Sequence, residues 1–95
     1  MEVWLTKGLF GEKTEKIADG AANGEQALSA FHAWKNAEKD TGRYKIERYD
    51  RFLFGEDSVA VDFGDYSAFA LITGEGAVEE IKRSFARRGG VSPAV

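Results

Sequence analysis

Two closely spaced turn signals, Gly55-Glu56-Asp57 and Gly64-Asp65, constrain this chain more than any other feature. They cut the stretch 43–73 into three extended segments, 43–54, 58–63 and 66–73, rich in Tyr, Phe, Ile and Val. Short loops between such segments predict an antiparallel meander, and loop length fixes which residues face each other. A two-residue loop at Gly64-Asp65 places Phe63 opposite Tyr66, Asp62 opposite Ser67, Val61 opposite Ala68 and Ala60 opposite Phe69. A matching turn at Glu56-Asp57 sets Phe54 against Val59, Leu53 against Ala60, Phe52 against Val61 and Arg51 against Asp62. One face then carries Phe52, Phe54, Val59, Val61, Phe63, Ala68, Ala70 and Ile72, and its alanines let a helix approach closely.

Two helices are expected to cover that face. Asn23 and Gln26 form a capping-box pattern, and Ala27, Leu28, Ala30, Phe31, Trp34 and Ala37 then recur at helical spacing. With Lys39 in the last turn and Gly42 as a stop, the pattern predicts a helix over 24–40. Gly74 and Gly76 open a second helix, with Ala77, Val78, Ile81, Ser84 and Phe85 on one stripe. Its glutamates lie early and its basic residues late, matching the helix dipole, and Gly89-Gly90 ends it. A first strand begins at Glu2 and stops near Lys7 or runs to Phe10; 11–23 holds a short strand over 14–18 or only a loop. The expectation is a single α+β domain over 1–90, β-α-β-β-β-α, with an antiparallel sheet of about four strands, both helices on one face, and a loose tail at 91–95.

Composition narrows the function classes. At 95 residues there is room for one core, and 43% hydrophobic content is too apolar for disorder. No apolar run approaches the ~18 residues of a membrane span, and no signal peptide is recognisable. The absence of cysteine excludes disulfides and thiol nucleophiles and fits a reducing cytoplasm. A net charge of −3 disfavours general nucleic-acid binding, which needs a basic footprint.

Each candidate for chemistry has a simpler explanation. Asp62-Phe63-Gly64 matches the kinase magnesium triplet, but the other kinase parts are missing, and a strand end with a turn accounts for it. Gly74-Glu75-Gly76 lacks the third glycine of a dinucleotide fingerprint and is followed by more glutamates, which repel phosphate. The single histidine, His32, has Leu28, Ser29, Lys35 and Asn36 at helical spacing, with no orienting carboxylate in that set. Asp57, Asp62 and Asp65 lack calcium-loop spacing. The expectation is therefore no enzyme, no metal and no cofactor.

The second sheet face is the informative one. It carries the favourable pair Arg51–Asp62, then Leu53, Ala60 and Phe69, with Leu71 and Tyr49 nearby. These apolar side chains need a cover. It is either the first strand, 11–23 or the tail, or else a protein partner or second copy contacting Tyr49, Arg51, Leu53, Asp62, Phe69 and Leu71. Small, acidic, cysteine-free α+β proteins of this kind are encoded by phages and mobile elements as inhibitors of host defence enzymes, anti-CRISPR proteins among them. The alternative partner is nucleic acid, met by Lys82, Arg83, Arg87 and Arg88 at the end of the second helix. From 24 to 88 the order helix–strand–strand–strand–helix resembles double-stranded-RNA-binding domains in topology. That family has a lysine-rich start to its last helix, where phosphates dock; here that stretch reads Glu75-Gly76-Ala77-Val78-Glu79-Glu80.

Overall fold

A computed structural model describes residues 1–87. The chain forms β1 (Glu2–Lys7), β2 (Glu12–Ala18), α1 (Gly24–Glu38), β3 (Arg51–Phe54), β4 (Val59–Asp62), β5 (Ala68–Thr73) and α2 (Ala77–Arg87). The five strands make one antiparallel sheet in the order β2-β1-β5-β4-β3. The fold is thus α+β as expected, with the stretch over 12–18 forming a fifth strand. The expected tail at 91–95 and helix stop at Gly89-Gly90 lie outside the described residues.

One sheet face and the two helices enclose the core. Val3 and Leu5 of β1, Val59 and Val61 of β4, Phe63, and Ala70 and Ile72 of β5 are buried with Ala27, Leu28 and Phe31 of α1 and Ile81 and Phe85 of α2. The helices touch closely. A methyl group on Gly24 would come within 2.8 Å of the Glu80 carbonyl oxygen. In place of that methyl, the Gly24 N–H donates to the Glu80 carboxylate at 3.1 Å, and the buried Ser84 hydroxyl donates to Glu25. At the start of α1 the Asn23 side chain accepts from the Gln26 N–H at 3.0 Å. Gln26 reaches back to the Ala22 N–H at 2.9 Å, one residue beyond the capping-box partner.

The β3–β4 register is the expected one, pairing Arg51 with Asp62, Phe52 with Val61, Leu53 with Ala60 and Phe54 with Val59. The β4–β5 register differs: Val61 faces Ala70, Ala60 faces Leu71 and Val59 faces Ile72. The two-residue hairpin at Gly64-Asp65 is therefore corrected to a longer loop. Its cause is the Asp65 carboxylate, which accepts the backbone N–H groups of Ser67 and Ala68 at 3.2 and 3.0 Å and so removes them from the ladder. The slip is by two residues, an even number, so every side chain keeps its face.

The expected strand over 43–54 is also shorter, since only Arg51–Phe54 pairs. Residues 43–50 instead run beside α1, held by side chains. Arg43 bonds the buried Glu38, and Lys35 meets Asp50 at 2.8 Å with both side chains under 10% exposed, at 7% and 8%. Tyr44 packs edge-on to Phe63, and the Trp34 ring lies 5.2 Å from that of Phe63 and 5.7 Å from that of Tyr44. The Glu47 N–H donates to the Phe63 carbonyl at 2.8 Å.

β1 and β2 do not lie flat. Their register shifts between Val3 and Trp4 and again between Leu5 and Thr6, leaving Ile17 and Thr14 as extra residues on β2. Each such bulge sharpens the twist. The Thr14 hydroxyl fills the gap by donating to the Leu5 carbonyl at 3.2 Å. The connecting turn holds Phe10 at φ 53, left-handed backbone that costs a non-glycine residue roughly 1–2 kcal/mol.

The Lys35–Asp50 pair ties the irregular segment to α1 and generates a clear expectation. Asp50→Ala leaves a lysine ammonium buried without its partner and should cost roughly 3–5 kcal/mol. The double change Lys35→Met with Asp50→Leu should recover most of that loss. Urea denaturation of the three chains measures it.

Candidate functional site

The sheet face away from the helices is built of side chains that alternate with the core set. The observed registers place Leu53, Ala60, Leu71, Trp4 and Lys16 in one row across all five strands. A neighbouring row contains Arg51 paired with Asp62, and Phe69 paired with Thr6, which pairs in turn with Lys13. The expected row Leu53–Ala60–Phe69 is thus corrected to Leu53–Ala60–Leu71, for the reason that lengthened the β4–β5 loop. Trp4 joins this face because β1 pairs with β5, a placement that sequence reasoning had left open.

This face is not bare. Ala60 is fully buried, Thr6 is 1% exposed and Leu71 is 7% exposed, while Trp4, Leu53 and Phe69 are half-buried. The cover is the first hairpin, curled over by its two bulges. The Phe10 ring lies where a side chain on Gly55 would begin: a methyl group there would come within 2.9 Å of its Cε1. Lys13 and Lys16 sit 4.7 and 5.0 Å from the centre of the Trp4 ring. Lys13 also lines a cavity with Asp57, Ser58, Thr73, Gly74 and Glu75, residues of the β3–β4 turn and the end of β5. Of the covers expected from sequence, the segment that begins at Gly11 thus supplies one, together with the turn before it.

At the margin of this face the chain exposes large side chains. Tyr66 is 86% and Tyr49 67% exposed, and Leu9 and Phe10 are 46% and 42% exposed. Three of them gather around the β4–β5 loop. Tyr66 lies in it, Leu9 follows Gly8, whose N–H donates to the Ser67 carbonyl at 2.7 Å, and Tyr49 shares a cavity with Asp65. That cavity, about 220 Å³, is lined by Glu47, Tyr49, Arg51, Asp62, Gly64 and Asp65. Arg51 Nε stands 3.9 Å from Asp62 Oδ2, and Asp62 also accepts the Gly64 N–H at 3.0 Å. Lys45 lies 4.9 Å from the Tyr66 ring centre, and the phenol oxygen, next to the ammonium, holds the lysine above its ordinary range.

Of the six residues expected to contact a protein, Tyr49, Arg51 and Asp62 come together at this cavity. Leu53 and Phe69 lie half-buried on the face, and Leu71 lies beneath its cover. Sequence reasoning missed Tyr66, Leu9, Phe10 and Trp4. The signal for Trp4 was the alternation of Val3 and Leu5 with Glu2, Trp4 and Thr6. In the alternative nucleic-acid set, Lys82 is 5.3 Å from the Phe54 ring and Arg83 bonds Glu80 at 2.8 Å. Arg87 ends α2, and Arg88 lies outside the described residues.

Several features read earlier as candidate chemistry have local tasks. Gly74 and Gly76 take positive φ, and the Gly74 carbonyl accepts the Ala77 N–H at 3.1 Å, so the glycine pair makes the turn into α2. His32 lies tilted against Phe31 at 5.4 Å. Among the described residues no group of three or more histidines, aspartates or glutamates is placed to hold a metal ion, and no helix is long and apolar enough to cross a membrane. Comparison with known proteins finds no matching family model, no matching curated protein and no matching solved structure.

Asp65 organises the rim. Burial alone would raise its carboxyl, but the N–H groups of Lys45, Ser67 and Ala68 outweigh that and hold it below the usual carboxylate range. A depressed folded value contributes stability above the unfolded pKa, lost as pH falls through the folded one. Asp65→Ala should therefore lose roughly 1.5–3 kcal/mol at neutral pH. The deficit should shrink in acid, which chemical denaturation across a pH series will show.

Proposed function

We propose that this domain is a non-catalytic protein-binding module that meets its partner through the sheet face away from the helices and the Tyr49–Tyr66 rim. The observation that supports it most is the exposure of these two tyrosines, Tyr49 sharing a cavity with Arg51 and Tyr66 lying against Lys45, next to an apolar face that a hairpin turn covers. Tyr and Arg are the residues that most often dominate interface energy, because both combine a large apolar contact area with hydrogen bonding. The Tyr49 side of the rim is also anchored to the rest of the fold. Lys35–Asp50, Arg43–Glu38 and the Tyr44–Phe63 contact fix residues 43–50, so little ordering cost remains to be met on binding. An inhibitor of a host defence enzyme, as anti-CRISPR proteins are, is one module of this class, and a self-associating subunit would use the same face.

The test is affinity purification from cells of the source, followed by titration of the recovered protein. Tyr49→Ala and Arg51→Ala, both at exposed positions, should keep the fold and weaken binding at least about tenfold each, or about 1.4 kcal/mol. Sedimentation of the purified chain alone distinguishes a second copy from a foreign partner. Unchanged affinity in both variants would overturn the assignment of the surface. Binding instead to nucleic acid, with affinity falling steeply in salt, would overturn the class.

A further inference from the structure

The turn Gly8-Leu9-Phe10-Gly11 is an unusual way to join two strands. A turn needing left-handed backbone is ordinarily given glycine or asparagine. Here Gly8 takes one such position at φ 84, but a second falls on Phe10, while Leu9 and Phe10 both remain more than 40% exposed, at 46% and 42%. The ring of Phe10 lies over the bare backbone of Gly55, which leaves room for it. Beneath the same hairpin lie Ala60 and Leu71, buried on a face over which the described residues place no helix or second sheet. The hairpin tip is therefore strained, shallowly seated and placed over apolar surface.

We propose that this tip is a displaceable flap, and that Phe10 occupies in cis the seat taken by an aromatic side chain of a protein partner. The seat lies against Gly55 and the Leu53–Ala60–Leu71 row. β1 stays in place, since all six of its residues pair with β5. Only the tip and the adjoining end of β2 move, about the bulge at Thr14, where the β1–β2 ladder is already interrupted, while Ile17 and Ala18 stay packed against the core. An incoming aromatic ring replaces the Phe10 contact and releases the left-handed residue to an ordinary conformation. This inference rests on the binding reading above, but its test needs no partner.

The chain has no cysteine, so one introduced thiol is a unique probe. Ala60→Cys places it on the covered face and Val61→Cys on the core face, both at positions that are fully buried. The rate of reaction with Ellman's reagent is measured for each, alone and combined with Gly55→Ala or Phe10→Gly. Gly55→Ala intrudes on the Phe10 ring, and Phe10→Gly removes the ring while suiting the turn, so the second variant decides the matter if the first disturbs the β3–β4 turn. Either change should speed labelling at position 60 about tenfold and leave position 61 within about twofold, because local opening exposes one face only. Benzyl alcohol should slow the position-60 thiol in the Phe10→Gly background by refilling the seat. Equal acceleration at both positions means global destabilisation and overturns the flap, as does no acceleration at either. Acceleration at 60 without any effect of benzyl alcohol overturns the aromatic seat.

Discussion

The pairing of β1 with β5 decides the architecture. Six consecutive residue pairs, from Glu2 with Thr73 to Lys7 with Ala68, place the first strand of the chain beside the last. Without that ladder, β3–β5 would be a three-stranded meander too narrow to seat two helices. With it, Val3 and Leu5 extend the core floor beneath α1, and Trp4 extends the opposite face. The hairpin hung from β1 is then carried over that opposite face. The long sequence separation of these contacts also means that the sheet closes late, after loop entropy has been lost.

What could be read in the sequence depended on whether backbone groups or side chains controlled each segment. α1 was readable because a cap, a stripe and a stop all agreed, and its observed end at Glu38 falls two residues short of the expected one. The β3–β4 register followed from Gly55-Glu56-Asp57 because the ladder alone sets it. At β4–β5 the Asp65 carboxylate competed for the N–H groups that a tight hairpin needs, and pattern reasoning does not see such competition. The even slip preserved the faces, so the core set over 52–72 was identified despite the wrong loop.

The candidate surface was harder to read for a related reason. Residues 43–50 have the composition of a strand, yet they are held by ion pairs and aromatic contacts with partners far along the chain. Arg51 could be named because the β3 register reached it, and Tyr49 because it continues the same alternation two residues earlier. Tyr66 was expected inside a strand opposite Phe63, and the longer loop turned it outward. β2 was obscured by its charge: Glu12, Lys13, Glu15 and Lys16 obscure the alternation of a half-buried strand, and two bulges break what remains.

That charge has its own consequence. β2 is one of the two outer strands of the sheet, and an outer strand offers unpaired backbone groups to any other chain. Charged side chains and bulges make β2 a poor template for such pairing. The other outer strand, β3, is only four residues long, with the Lys82 ammonium beside its Phe54 ring. Growth by adding strands side to side, the route to fibrous aggregates, is thus resisted at both borders of the sheet. Contact between copies of the chain is thereby steered away from backbone pairing and towards side chains.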